Sequence, residues 1–85
     1  MSQLDVARSL DNLAAALGAS GERARALALH HEALALWGDH PAAAWTWAAI
    51  ARLTLADGLR AEAITAAVKA EQLGRAALRD AASRG

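Results

Sequence analysis

The chain has no cysteine, no phenylalanine and no tyrosine, and it has a single proline and a single lysine. Without thiols there is no disulfide framework of the kind that staples small secreted domains, and no thiolate set for zinc or an iron–sulfur cluster. An excess of one charge is also missing: 9 basic residues balance 9 acidic ones. That argues against a nucleic-acid binder working through a basic surface. The apolar stretches at 41–44 and 48–51 are broken by polar residues, and none approaches the roughly 20 residues of a membrane span. The opening MSQLDVARSL lacks a basic segment followed by an apolar core, so no secretory signal is visible. A cytoplasmic protein that needs neither membrane nor nucleic acid is the expectation.

What the chain does contain is alanine and leucine, 26 and 13 of its 85 residues. Alanine has the highest helix propensity, and β-branched and aromatic strand formers are scarce, so the expected fold class is all-α. At this length one domain spanning 1–85 is expected, near the lower limit for a self-sufficient core. Helices lined by alanine bury little area each, so closeness of approach must replace side-chain bulk.

Turn residues divide the chain into four helices. Ser2 suits the cap of a first helix, whose apolar face is Val6, Leu10, Leu13, Ala14 and Leu17. After the break at 18–21, Ser20 suits the cap of a second, with Ala26, His30, Ala33, Leu34 and Trp37 on one face. Gly38 ends it, and Pro41 suits the first turn of the third. The third presents Trp47, Ile50, Ala51 and Thr54, and Asp57-Gly58 closes it. The fourth presents Ala63, Ile64, Ala67, Ala70 and Leu73. Gly74 can end that helix or lie inside it. An interior glycine costs only about 1 kcal/mol, and continuation is the favoured reading.

The segments SLDNLAAALGASGERARAL and TWAAIARLTLADGLRAEAI align at an offset of 37 residues. Gly21 falls on Gly58, Arg23 on Arg60, Leu13 on Ile50, Leu27 on Ile64 and Leu36 on Leu73. A helix–turn–helix unit repeating at such a period is the pattern of a helical solenoid. The expected units are 2–38 and 39–74, followed by a C-terminal helical extension or cap at 75–85.

On these residues the chain resembles the tetratricopeptide repeat family. The second unit carries Trp47, Ile50 and Ala51, then Gly58, then Ala63, Ile64 and Ala70. The first, with SLDNLA and a trailing GDHP, is similar to the kinesin light-chain variety. The resemblance covers about residues 4–73 and implies two antiparallel helical hairpins that bind a peptide or partner protein. Its departures are Leu17, Thr54, His30 and Ala67 at positions where the family carries aromatics, and no proline closes the second unit. Thin packing is expected at Thr54 and Ala67.

The resemblance also places the first helix of each unit on the concave face. That puts Arg8, Asp11, Asn12 and Ala15 of the first unit, and Trp45, Ala48, Ala49 and Arg52 of the second, toward a partner. Asn12 offers a donor and an acceptor to a peptide backbone, the arginines suit carboxylates, and Trp45 suits an aromatic contact. Against this stands the plain alternative that Arg8 and Asp11, three apart, form a solvated intrahelical pair.

Other chemistry finds little support. His30 and His31 are adjacent and point about 100° apart on a helix, no HxxxH or HExxH spacing occurs, and His30 reads as a packing residue. His40, at a helix start, reads as local. Ser9, Ser20 and Ser83 lack a nucleophile-elbow context, and Gly18 and Gly21 lack the lysine of a phosphate loop. The reading is a non-enzymatic interaction module with no cofactor and no metal. Repeat arrays usually need three or more units. Two units leave three solutions: a capping last helix, association of copies such as a homodimer through Trp37, Trp45, Trp47 or the terminal helix, or a piece of a longer solenoid.

Overall fold

A computed structural model describes residues 1–84; Gly85, the end of the expected extension, lies outside the described residues. The helices are α1 (Gln3–Ala19), α2 (Arg23–Trp37), α3 (Ala43–Ala56) and α4 (Arg60–Arg84), and no strand occurs among the described residues. α1 packs along α2 and α3 along α4, so the chain forms two antiparallel hairpins. The hairpins join through α2 against α3, with a smaller contact of α1 on α3. This is the all-α fold expected from the composition, with the two antiparallel hairpins that the family resemblance implies.

Local chemistry starts and stops the helices. Ser2 caps α1 in a capping box: its hydroxyl accepts from the Asp5 N–H at 3.2 Å, and the Asp5 carboxylate accepts from the Ser2 N–H at 3.3 Å. α1 ends in a Schellman motif. Glu22 N–H donates to the Leu17 carbonyl at 2.9 Å, and Gly21 N–H to Gly18 at 3.1 Å, with Gly21 at φ 91°. The same motif recurs 37 residues on. Leu59 N–H donates to Thr54 at 2.9 Å and Gly58 N–H to Leu55 at 3.0 Å, with Gly58 at φ 78°. The internal repeat is therefore present in backbone geometry as well as in residue type.

One local expectation needs correction. Ser20 does not cap α2. The Schellman turn makes it the C-cap of α1, where its hydroxyl donates to the Leu17 carbonyl, and Glu22 precedes α2 with no side-chain cap. Pro41 stands in the turn that leads directly into α3, where its carbonyl accepts from the Ala44 N–H at 3.1 Å, and the His40 ring Nδ1 accepts from the Ala42 N–H at 3.0 Å. His40 also stacks on Trp37 with ring centroids 5.0 Å apart, a local role as expected.

The interior is built from small side chains. Ala7, Ala14, Ala26, Ala33 and Ala43 are completely buried, joined by Ala63, Ala66, Ile50 and Trp37. Larger residues of the expected apolar faces are left outside. Val6, Leu13, Ile64 and Ala67 are exposed, because alanines let the paired helices close along a narrow stripe and turn the larger neighbours toward the ends of the stack. Thr54 is buried, and its hydroxyl donates to the Ile50 carbonyl at 2.8 Å.

α4 runs straight through Gly74. Beyond Leu73 only Gly74, Ala76 and Ala77 are even half-buried, so the last turns project from the hairpin. The radius of gyration, 13.2 Å, accordingly exceeds the roughly 12 Å of a compact domain of this length.

The glycines give opposite predictions. Gly58→Ala places a β-carbon on a positive-φ residue and should destabilise by about 1 kcal/mol. Gly74→Ala adds one in open space within a helix and should stabilise by up to about 1 kcal/mol. Thermal melts should move by about 4–8 °C in opposite directions.

Candidate functional site: the groove between α1 and α3

α1 presents Arg8, Asn12 and Ala15 at spacings of four and three residues, which is one helical stripe. α3 presents Trp45, Ala49 and Arg52 at the same spacing, each 37 positions later. The two stripes therefore occupy the same register on equivalent helices. Arg8, Asn12, Ala15, Trp45 and Arg52 are exposed, and Ala49 is half-buried. Ala15, Ala49 and Arg52 line a cleft of about 180 Å³ between the helices, floored by Ala14, Gly18, His30 and Leu53.

Three polar side chains of the two stripes have no partner within the chain: among the described residues, Arg8, Asn12 and Arg52 form no ion pair or side-chain hydrogen bond. Trp45 is 82% exposed, an unusual position for the largest side chain, and like Arg8 and Asn12 it lies along the stripe but outside the lining of the cleft.

Asp11 is placed differently from its neighbours. Its carboxylate turns inward and is not paired with Arg8. Oδ1 accepts from the His30 ring Nδ1 at 2.8 Å, and Oδ2 accepts from Trp37 Nε1 at 2.8 Å and from the Thr46 hydroxyl at 2.6 Å. A carboxylate only accepts, so this pattern assigns the proton of His30 to Nδ1. One side chain of α1 thereby holds two residues of α2 and one of α3, and it fixes the floor on which Asn12 stands. Sequence reasoning missed this role, because the three partners lie 19, 26 and 35 residues away.

His30 and His31 open to different clefts, as their adjacency on a helix requires. His30 lies under the α1–α3 groove. His31 borders a cleft of about 400 Å³ on α3 and α4, with Trp47, Ile50, Thr54 and Ala66. Trp47, which the periodicity puts on a packing face, is half-buried there. Among the described residues no group of three or more histidines, cysteines or acids is placed to hold a metal ion. Nor is any described helix long and apolar enough to cross a membrane.

Comparison with known proteins bears on the first hairpin. Residues 6–41 match the family model described as the tetratricopeptide repeat. The matched segment holds α1 from Val6 onward, the Schellman turn, α2 and the loop to Pro41. Searches of curated proteins and of solved structures returned no match. Tetratricopeptide repeats as a family are non-enzymatic scaffolds that bind protein partners. This chain is thus similar, over its first hairpin, to a repeat class whose general work is protein interaction.

Replacing Asp11 tests its structural role. Asp11→Ala leaves a buried imidazole, indole and hydroxyl without their acceptor, and unfolding stability should fall by about 3 kcal/mol in a urea melt. Arg8→Ala, on the exposed stripe of the same helix, should change it by less than about 0.5 kcal/mol.

Proposed function

We propose that the chain is a non-enzymatic protein-interaction module. It takes an extended peptide, or an extended segment of a partner protein, across the groove between α1 and α3. The observation that carries this reading is the pair of matching stripes. Polar and aromatic side chains with no partner of their own stand in equal register on two equivalent helices, on either side of a cleft. The match of the first hairpin to a protein-binding repeat class points the same way.

Each rim residue has a role in this proposal. Asn12 hydrogen-bonds the partner backbone through its amide, which donates and accepts. Arg8 and Arg52 engage carboxylates, so the preferred partner carries acidic side chains or a free C-terminus. Trp45 covers an apolar partner residue, and Ala15 and Ala49 keep the cleft open to backbone approach. Asp11 acts from below, by holding α1 against α2 and α3. The repeat units are taken as 2–38 and 39–74, with 75–85 as an extension. The SLDNLA and GDHP segments support the kinesin light-chain variety for the first unit.

The test is partner capture from a lysate of the source cell, with captured proteins identified by mass spectrometry. Asn12→Ala and Arg52→Glu should each abolish capture of a partner that the wild type retains, while helical content and melting temperature stay unchanged. Capture should also weaken as salt rises, since exposed arginine–carboxylate pairs are screened. Unchanged capture by both variants would remove the groove from consideration.

A further inference from the structure

The groove lies on one side of the hairpin stack, and the two ends of the stack are separate surfaces. α3 faces the first hairpin with a stripe of Thr46, Ile50, Leu53 and Asp57. Thr46 bonds Asp11, Leu53 lies over Gly18, and Asp57 pairs with Arg23. The equivalent stripe of α1, 37 positions earlier, is Ser9, Leu13, Ala16 and Ser20. It has no hairpin beside it, and every member is exposed. Leu13 is 51% exposed, whereas its equivalent Ile50 is 3% exposed.

The opposite end shows the converse. In the first hairpin, Gly18, Ala26 and His30 receive α3. Their equivalents Leu55, Ala63 and Ala67 line, with Ala51 and Ile64, an open cleft of about 260 Å³ between α3 and α4. Leu55 and Ile64 are 59% and 58% exposed. One end thus carries the inserting stripe and the other carries the receiving cleft, in the register already used inside the chain.

The sizes also match. At the internal junction a leucine, Leu53, lies over a glycine, Gly18. At the ends the bulk is exchanged: the receiving position is Leu55 and the inserting one is Ala16. A leucine facing an alanine carries one methyl group more than a leucine facing a glycine, so the two junctions agree in bulk to within a methyl group, which a flexible leucine end can accommodate by a small shift. Arg60, equivalent to Arg23, would meet the hydroxyl of Ser20 where Arg23 meets the Asp57 carboxylate. With no net charge, copies do not repel one another at long range.

From this we infer that the chain self-associates head to tail, the α3–α4 end of one copy receiving the α1 stripe of the next. Such a contact is heterologous and extends into open assemblies unless its rotation closes a ring. It is weaker than the internal junction, because Ser9 has Ala48 opposite it where Thr46 has Asp11, and the ion pair becomes a neutral contact. The association is therefore reversible and depends on concentration. Arg52 borders both this cleft and the α1–α3 groove, whereas Asn12 does not line the receiving cleft, so Asn12→Ala separates assembly from the proposed partner binding.

Sedimentation velocity over a concentration series tests it with three proteins: the wild type, Leu13→Arg and Leu55→Arg. Both substitutions are at exposed positions, and Ser9→Arg and Ile64→Arg serve as second variants for the same two faces if either chain fails to fold. The wild type should rise in mass with concentration. Each variant alone should stay at one-chain mass, because each lacks one of the two faces. An equimolar mixture should give a species of twice that mass, since Leu13→Arg retains the receiving cleft and Leu55→Arg retains the inserting stripe. A wild type that stays at one-chain mass, a variant that assembles alone, or a mixture that does not pair would each overturn the inference. Asn12→Ala, which alters only the groove, should assemble like the wild type.

Discussion

The Asp11 carboxylate is the constraint on which the arrangement of three helices depends. Alanine-lined helices approach closely but hold one another loosely in rotation and sliding. Their contacts are small, and dispersion attraction has little directional preference. Three hydrogen bonds from separate points on α2 and α3 converge on one carboxylate of α1 and supply the missing direction. A buried polar cluster stabilises only when every member is satisfied. Among the described residues no buried side-chain nitrogen or oxygen lacks a partner. The absence of phenylalanine and tyrosine fits this scheme. Trp37, the one buried tryptophan, brings bulk together with an N–H that reaches Asp11.

The two hairpins share a backbone plan but not this lock. At the repeat offset, Asp11, His30 and Trp37 become Ala48, Ala67 and Gly74. Among the described residues no side-chain hydrogen bond or ion pair joins α3 to α4, and the last described turns of α4 have few buried positions. Local opening should therefore begin at the C-terminal end and reach the first hairpin last, because sparse burial and exposed backbone bonds mark the low-stability regions of a fold. The Arg23–Asp57 pair between the two turns does little to change this order. Both partners are substantially exposed, and such pairs contribute under about 1 kcal/mol.

The parts of this fold that could be read from sequence are those fixed by near neighbours. The Ser2 cap, the positive-φ glycines at 21 and 58 and the offset between the units each follow from residues a few positions apart. Ser20 was misread because two local motifs compete for it, and the Schellman turn wins by satisfying carbonyls of α1 that a cap on α2 would leave open. Periodicity identified the apolar side of each helix but not what covers it, so Val6, Leu13 and Ile64 look like core residues and are exposed. For the groove, the family resemblance singled out the first helix of each unit, and the 37-residue offset then sets Arg8, Asn12 and Ala15 in register with Trp45, Ala49 and Arg52. The inward turn of Asp11 was illegible, since it is decided by Thr46, 35 residues away.

The same contacts that stack the hairpins also set the shape of the groove. Its walls are α1 and α3, and these meet through Thr46 on Asp11 and Leu53 over Gly18. Added bulk at Gly18 would press on Leu53, since a β-carbon there would lie 3.3 Å from its methyl group, and the leucine side chain would have to give by a few tenths of an ångström. Rim residues and junction residues are therefore separable in their contacts but coupled in their geometry. In the proposed binding mode a substitution at Asn12 would remove a contact to the partner, whereas one at Asp11 would release the bonds that hold the wall on which that contact stands.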